Sequence, residues 1–123
     1  MKKLRRISGL LGLTGVLLGA FGAHALKATL IARGMSDVWE KAVLYHLVHT
    51  VAVFAATMTL SGPRPWLARA AISWTVGVIL FSGSLYAFAL GGPRWLVYVT
   101  PLGGLLFLLG WSFVVVDGAL EKT

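Results

Sequence analysis

LARAAISWTVGVILFSGSLYAFAL, residues 67–90, decides what kind of protein this is. It carries one charged side chain, Arg69, near its start and no other before Leu90. A helix needs about 20 mainly apolar residues to cross the hydrocarbon of a bilayer, and this stretch supplies them. Three more stretches of similar character fill most of the chain: Ile7 to Leu26, Trp39 to Leu60, and Leu96 to Val116. The pattern predicts an all-α fold, an integral membrane four-helix bundle, with residues 1–123 forming a single four-span domain.

Composition points the same way. The chain is 58% hydrophobic and 12% charged, where a water-soluble domain carries about 25% charged residues. Mean hydropathy is +0.84. With four spans assigned, little chain remains for a soluble module. There is no cysteine, which excludes disulfides, a thiol nucleophile and thiolate metal ligation.

A net charge of +7 would suggest nucleic acid in a soluble protein. Here the position of the charges matters more than their sum. Lys2, Lys3, Arg5, Arg6, Arg64, Arg69 and Lys122 fall on one side of the four spans, against Lys27, Arg33, Lys41 and Arg94 on the other. The positive-inside rule assigns the richer side, and with it both termini, to the cytoplasm. The basic residues then serve topology and contact with anionic headgroups. No soluble face is left to bind nucleic acid. Met1 to Arg6, the apolar run after it and Ala23-His24-Ala25 also imitate a signal peptide with its cleavage site. The apolar run is longer than a usual signal core and rich in glycine, which favours a retained first span. Cleavage would leave three spans and reverse the orientation.

Lipid tails are as apolar as leucine, so membrane helices associate through close backbone packing at small residues. Gly12, Gly15, Gly19 and Gly22 fall within an arc of about 80° on a helical wheel. Gly15, Gly19 and Ala23 repeat every fourth residue. This stripe reads as a face packed inside the bundle, with a homodimer face as the alternative. Gly83 in span three and Gly103 and Gly104 in span four extend the set of expected packing positions. Phe81 to Tyr86 reads as the tightest crossing. Leu26, Leu30 and Ile31 against Lys27 and Arg33 suit a short interfacial helix ended by Gly34. Asp37 with Glu40 resembles a capping box opening span two. Trp39, Trp66, Trp95 and Tyr98 sit where an aromatic belt is expected.

Polar side chains inside spans are costly and are the first places to look for function. His46, His49, Thr50 and Thr57 share an arc of about 100° on span two. His24 lies near the outer end of span one. Three readings stand. The histidines hydrogen-bond between helices, or His24, His46 and His49 hold a metal or haem, or they serve proton or quinone chemistry. The metal reading requires all three imidazoles to converge on one point. A small transporter is a weaker alternative. Small multidrug exporters of this size depend on a carboxylate inside the membrane, whereas Asp37, Glu40, Asp117 and Glu121 all lie at span ends. No phosphate-binding loop, Ser-His-Asp set or zinc-protease helix motif is present.

Four motifs in order resemble a known family: Gly19-Ala-Phe-Gly-Ala-His-Ala-Leu-Lys27, then Trp39 with Tyr45-His-x-x-His49, then Phe81-Ser-Gly-Ser-Leu-Tyr86, then Thr100-Pro-Leu-Gly-Gly104 with Gly110-Trp111. They are similar to the domain-of-unknown-function family 423, small multi-span membrane proteins of the YgdD and YwdK type. The resemblance covers nearly the whole chain. It implies four helices and a retained first span, and no established activity. In that family's pattern the first histidine of the pair can be glutamine, which shifts ligand candidacy from His46 to His49 and His24.

These readings converge on a four-span protein of the bacterial cytoplasmic (inner) membrane. The expected function is non-enzymatic: an accessory or assembly subunit without a cofactor. Its expected partners are the lipid bilayer and other membrane subunits or a second copy, not nucleic acid.

Overall fold

In a computed structural model, which describes residues 1–59 and 62–121, the chain forms five α-helices and, among the described residues, no strand. They are α1 (Lys2–Ala23), α2 (Lys27–Ala32), α3 (Ser36–Ala56), α4 (Pro65–Ala89) and α5 (Leu96–Leu120). Three of them, α1, α4 and α5, are long and apolar enough to cross a membrane. α3 has the length, at 21 residues, but not the apolarity. Glu40 and Lys41 charge its first turns, and His46, His49 and Thr50 are buried along its length. The stretch expected as a fourth apolar span is therefore a helix of different character, with its polar groups turned inward. The expected span end at Leu60, Ser61 of the following turn, and Lys122 of the basic flank lie outside the described residues.

α3 sits between α1 and α4. α1 runs antiparallel to it: Arg5 Nη2 donates to the Thr57 carbonyl at 3.1 Å at one end, and Gly22 lies against the Trp39 indole at the other. α4 runs antiparallel on the opposite flank, where Ser82 Oγ donates to the Ala42 carbonyl at 2.7 Å. α5 returns along α4, joined by Ser73 Oγ donating to the Leu106 carbonyl at 2.6 Å and by the Ser84 and Thr100 hydroxyls, 2.6 Å apart. The start of α1, the α3–α4 connection and the end of α5 thus share one end of the protein. There Arg64, just before α4, pairs with Asp117 and reaches Glu121 at 3.5 Å. These carboxylates push the Arg64 guanidinium further above its usual value, chiefly through the Asp117 hydrogen bond.

The other end holds α2 and the α4–α5 connection. α2 closes with Gly34 at φ +66°, a left-handed conformation that glycine adopts without a Cβ clash. Gly34 N–H donates to the Ile31 carbonyl at 3.0 Å and Met35 N–H to the Leu30 carbonyl at 2.9 Å. That is the paired bonding of a Schellman cap, with Leu30 and Met35 in one hydrophobic cluster. The expected capping box does not form. α3 starts at Ser36 without a side-chain cap bond, so Asp37 stands in its first turn, where a carboxylate favours the helix dipole. Across the same end Arg33 Nε donates to the Ala89 carbonyl at 3.0 Å and places a cation at the C-terminus of α4.

Backbones approach where side chains are missing. A Cβ at Gly15 would stand 2.6 Å from Leu47 Cδ2, and one at Gly77 would stand 2.7 Å from Phe107 Cδ1. At Gly103 it would strike the Phe81 backbone nitrogen, and at Gly110 the Trp74 indole. Gly19 is looser, 3.3 Å from Val43 Cγ1, and Gly104 has only Phe81 at 4.0 Å. Gly83 faces open space within 4 Å, and Ala23 is exposed at the end of α1. Their register turns both away from the crossings. Around Gly83 the contact is made by the hydroxyls of Ser82 and Ser84 instead.

Candidate functional site

The polar centre of the protein is built on one face of α3. His46 is 3% exposed. Its Nε2 lies 2.8 Å from the Leu11 carbonyl of α1, and its Nδ1 lies 2.9 Å from the Tyr86 hydroxyl of α4. A carbonyl only accepts, so Nε2 carries the proton and Nδ1 accepts from Tyr86. Both ring nitrogens are engaged. One side chain therefore ties three helices together. Thr14 Oγ1 of α1 lies 3.4 Å from the same Nε2.

His49, one turn further, uses the opposite tautomer. Nδ1 donates to the Tyr45 carbonyl at 2.8 Å, and Nε2 accepts from Trp111 Nε1–H of α5 at 3.1 Å. The imidazole stacks on Phe107, with centroids 3.7 Å apart and planes 7° from parallel. His49 is thus a link from α3 to α5, clamped between an aromatic face and an indole donor. Trp74 completes the aromatic group, its ring centroid 4.6 Å from that of Trp111. Its Nε1–H is the one buried side-chain polar atom among the described residues without a hydrogen-bond partner. It lies against the bare backbone of Gly110.

Trp39, expected in an interfacial belt, is 2% exposed. Its Nε1–H donates to the Leu18 carbonyl at 2.9 Å, and its ring packs on Tyr86 with centroids 4.7 Å apart. Trp95 and Tyr98 are exposed. Trp66 stacks under the Arg69 guanidinium at 4.5 Å.

His24 stands apart from the pair. It is exposed at the C-terminal end of α1, while His46 and His49 point into the protein. Among the described residues no three of His, Cys, Asp or Glu gather to hold a metal ion. Taken together, the polar centre is a set of hydrogen bonds, most of them between helices, in which both nitrogens of each inward imidazole already have a partner. Sequence reasoning missed Tyr86 and Trp111 as those partners. Both stand in the family-like motifs, but nothing local says which histidine a residue on another helix will meet.

Much of the polar centre falls inside the stretch that a family model matches. The model of a family described as "Protein of unknown function (DUF423)" matches residues 18–104. The chain belongs to that family. The match spans Trp39, both inward histidines, Ser82, Tyr86 and Gly103. A "UPF0382 membrane protein" of Haemophilus influenzae is 38% identical over 89% of this chain and 87% of its own length. The "UPF0382 membrane protein SH2409" of Staphylococcus haemolyticus is 36% identical over 95% of each chain. The "UPF0382 inner membrane protein YgdD" of Escherichia coli K12 is 37% identical over 89% of this chain and 83% of its own length. No solved structure matches the chain. The chain is thus a member of a membrane-protein family without an assigned role, and its function has to be argued from its own geometry.

Proposed function

We propose that the chain is a single four-span bundle of the bacterial inner membrane, both termini in the cytoplasm, acting as a non-enzymatic accessory or assembly subunit. Supporting four spans, α3 at ~1.5 Å per residue is about 32 Å long, which matches a hydrocarbon core of ~30 Å. It runs antiparallel between α1 and α4, both apolar enough to cross. Its polar side chains are shielded by those neighbours, so its modest hydropathy is no obstacle to crossing with them. Supporting the orientation, the end that gathers both termini carries Lys2, Lys3, Arg5, Arg6, Arg64 and Arg69. The UPF0382 relative of E. coli K12 is named an inner membrane protein.

One observation carries the non-enzymatic reading. Both nitrogens of His46 and of His49 are occupied: His46 bonds to α1 and α4, and His49 to α5 and to its own helix at Tyr45. A metal at either ring would have to break a hydrogen bond that membrane surroundings cannot replace with water. The groups that looked chemical are therefore joints, and the outer surface is left to act through contact.

Two measurements test this reading on protein from gently solubilised native membranes. The chain is expected to co-purify in an assembly heavier than its own 13.2 kDa plus detergent. Elemental mass spectrometry is expected to find metal far below one atom per chain. A consistently lone chain would sink the subunit role. Near-stoichiometric iron, copper or zinc that disappears in His49→Ala would move the protein into the cofactor class.

A further inference from the structure

A groove of about 700 Å³ runs between α1 and α3 beneath α2, at the end opposite the termini. That volume falls within the ~300–1,000 Å³ of ordinary small-molecule sites. Its depth is apolar, walled by Val43, Leu47 and Val48 of α3, while Lys27, Ser36 and Glu40 form its rim. Lys27 and Glu40 are both exposed, and among the described residues neither is in an ion pair. The rim thus offers a free cation and a free anion on the same side of an apolar slot.

With α3 crossing the bilayer as proposed above, this slot opens laterally to lipid, and its rim stands at the boundary between headgroups and hydrocarbon, within about one turn of the start of α3. Ser36 begins α3, and Glu40 follows about 6 Å further along the helix. Water does not fill an apolar slot facing hydrocarbon, so an acyl chain is the natural filler. The rim then selects the head. A bare anionic head meets Lys27 but is repelled by Glu40. A zwitterion satisfies both charges if its phosphate faces Lys27 and its cation faces Glu40. A primary ammonium also offers N–H donors to the carboxylate, and a charge-assisted hydrogen bond is stronger than a contact with a quaternary ammonium that has none.

We infer that this groove is a lipid site that prefers phosphatidylethanolamine, one acyl chain lying along Val43, Leu47 and Val48 and the head spanning Lys27 and Glu40. The inference rests on the bilayer placement proposed above and is independent of the subunit role.

The test is native mass spectrometry of the full chain, extracted from membranes and exchanged into detergent with equal amounts of dioleoyl phosphatidylethanolamine, phosphatidylglycerol and phosphatidylcholine. The ethanolamine lipid is expected to be retained about two- to fivefold over the other two, the range that exposed ion pairs supply. Lys27→Ala and Glu40→Gln, both at exposed positions, are expected to erase that preference. Arg94→Ala, an exposed cation in the α4–α5 connection at the same end, is expected to leave it intact. Equal retention of the three lipids, or a preference that survives both rim variants, overturns the site. So does a lipid-free dimer, which would make a second copy the occupant. Recovery of the chain in the soluble fraction would instead defeat the bilayer placement itself, before any lipid is compared.

Discussion

Gly103→Ala is expected to destabilise the protein by about 1–3 kcal/mol, the usual cost of forcing an extra carbon into a filled crossing. The new methyl meets the Phe81 backbone nitrogen and Cα rather than the tip of a flexible side chain. Backbone cannot rotate aside, so α4 and α5 must separate along the length where Ser73, Gly77 and Ser84 also hold them. The neighbouring glycines are the control. At Gly104 a Cβ finds its nearest neighbour at 4.0 Å, and at Gly83 it finds none within that range. Gly104→Ala is expected to be nearly neutral. Gly83→Ala should be neutral or gain up to about 1 kcal/mol from reduced backbone entropy. Unfolding midpoints of the three variants in one detergent check this. Equal midpoints for Gly103→Ala and Gly83→Ala would refute the close crossing.

His46→Leu is expected to cost about 2–4 kcal/mol. It removes two interhelical hydrogen bonds, each worth about 0.6–1.7 kcal/mol in membrane proteins. It also leaves the half-buried Tyr86 hydroxyl without its partner, which carries the cost to the upper part of the range. His46→Gln should lose less than about 1 kcal/mol, because a carboxamide also pairs a donor with an acceptor. Its NH₂ can serve the Leu11 carbonyl while its oxygen accepts from Tyr86. His49→Leu should cost only about 0.6–1.7 kcal/mol, since it removes one link between helices, to Trp111. Denaturant or thermal unfolding of the three variants is expected to rank His46→Leu as the least stable and His46→Gln as the most stable. A His46→Gln variant as unstable as His46→Leu would show that shape, not hydrogen bonding, holds the joint.

How much of this was legible beforehand depended on whether the signal was local. The helices between Lys2 and Ala23, Pro65 and Ala89, and Leu96 and Leu120 follow from unbroken apolar runs. The α2 turn followed from the placing of Lys27, Arg33 and Gly34. The inward face of α3 followed from helical periodicity, which put His46, His49 and Thr50 on one arc. Pairings between helices did not follow. Periodicity could not tell that Tyr86 would serve His46 and Trp111 would serve His49, or that His24 would stay outside. It also could not separate Gly103 from Gly83, because which glycine meets a backbone depends on the rotation of the partner helix. Trp39 was misjudged for the same reason. An indole near a helix start looks like an interfacial anchor until the Leu18 carbonyl and the Tyr86 ring come to meet it.

The inward polarity of α3 bears on how the chain enters its membrane. A segment is admitted to lipid largely on its own hydrophobicity, and α3 presented alone would expose two imidazoles and a threonine to acyl chains. α1 is synthesised first and already carries the Leu11 carbonyl and the bare glycine face that receive α3. α4 follows with the Tyr86 hydroxyl. On the four-span reading proposed above, the middle helix partitions in company, as one arm of a hairpin, and not as an independent stop. A glycosylation-tag topology assay of α3 with and without α1 upstream reads that dependence directly.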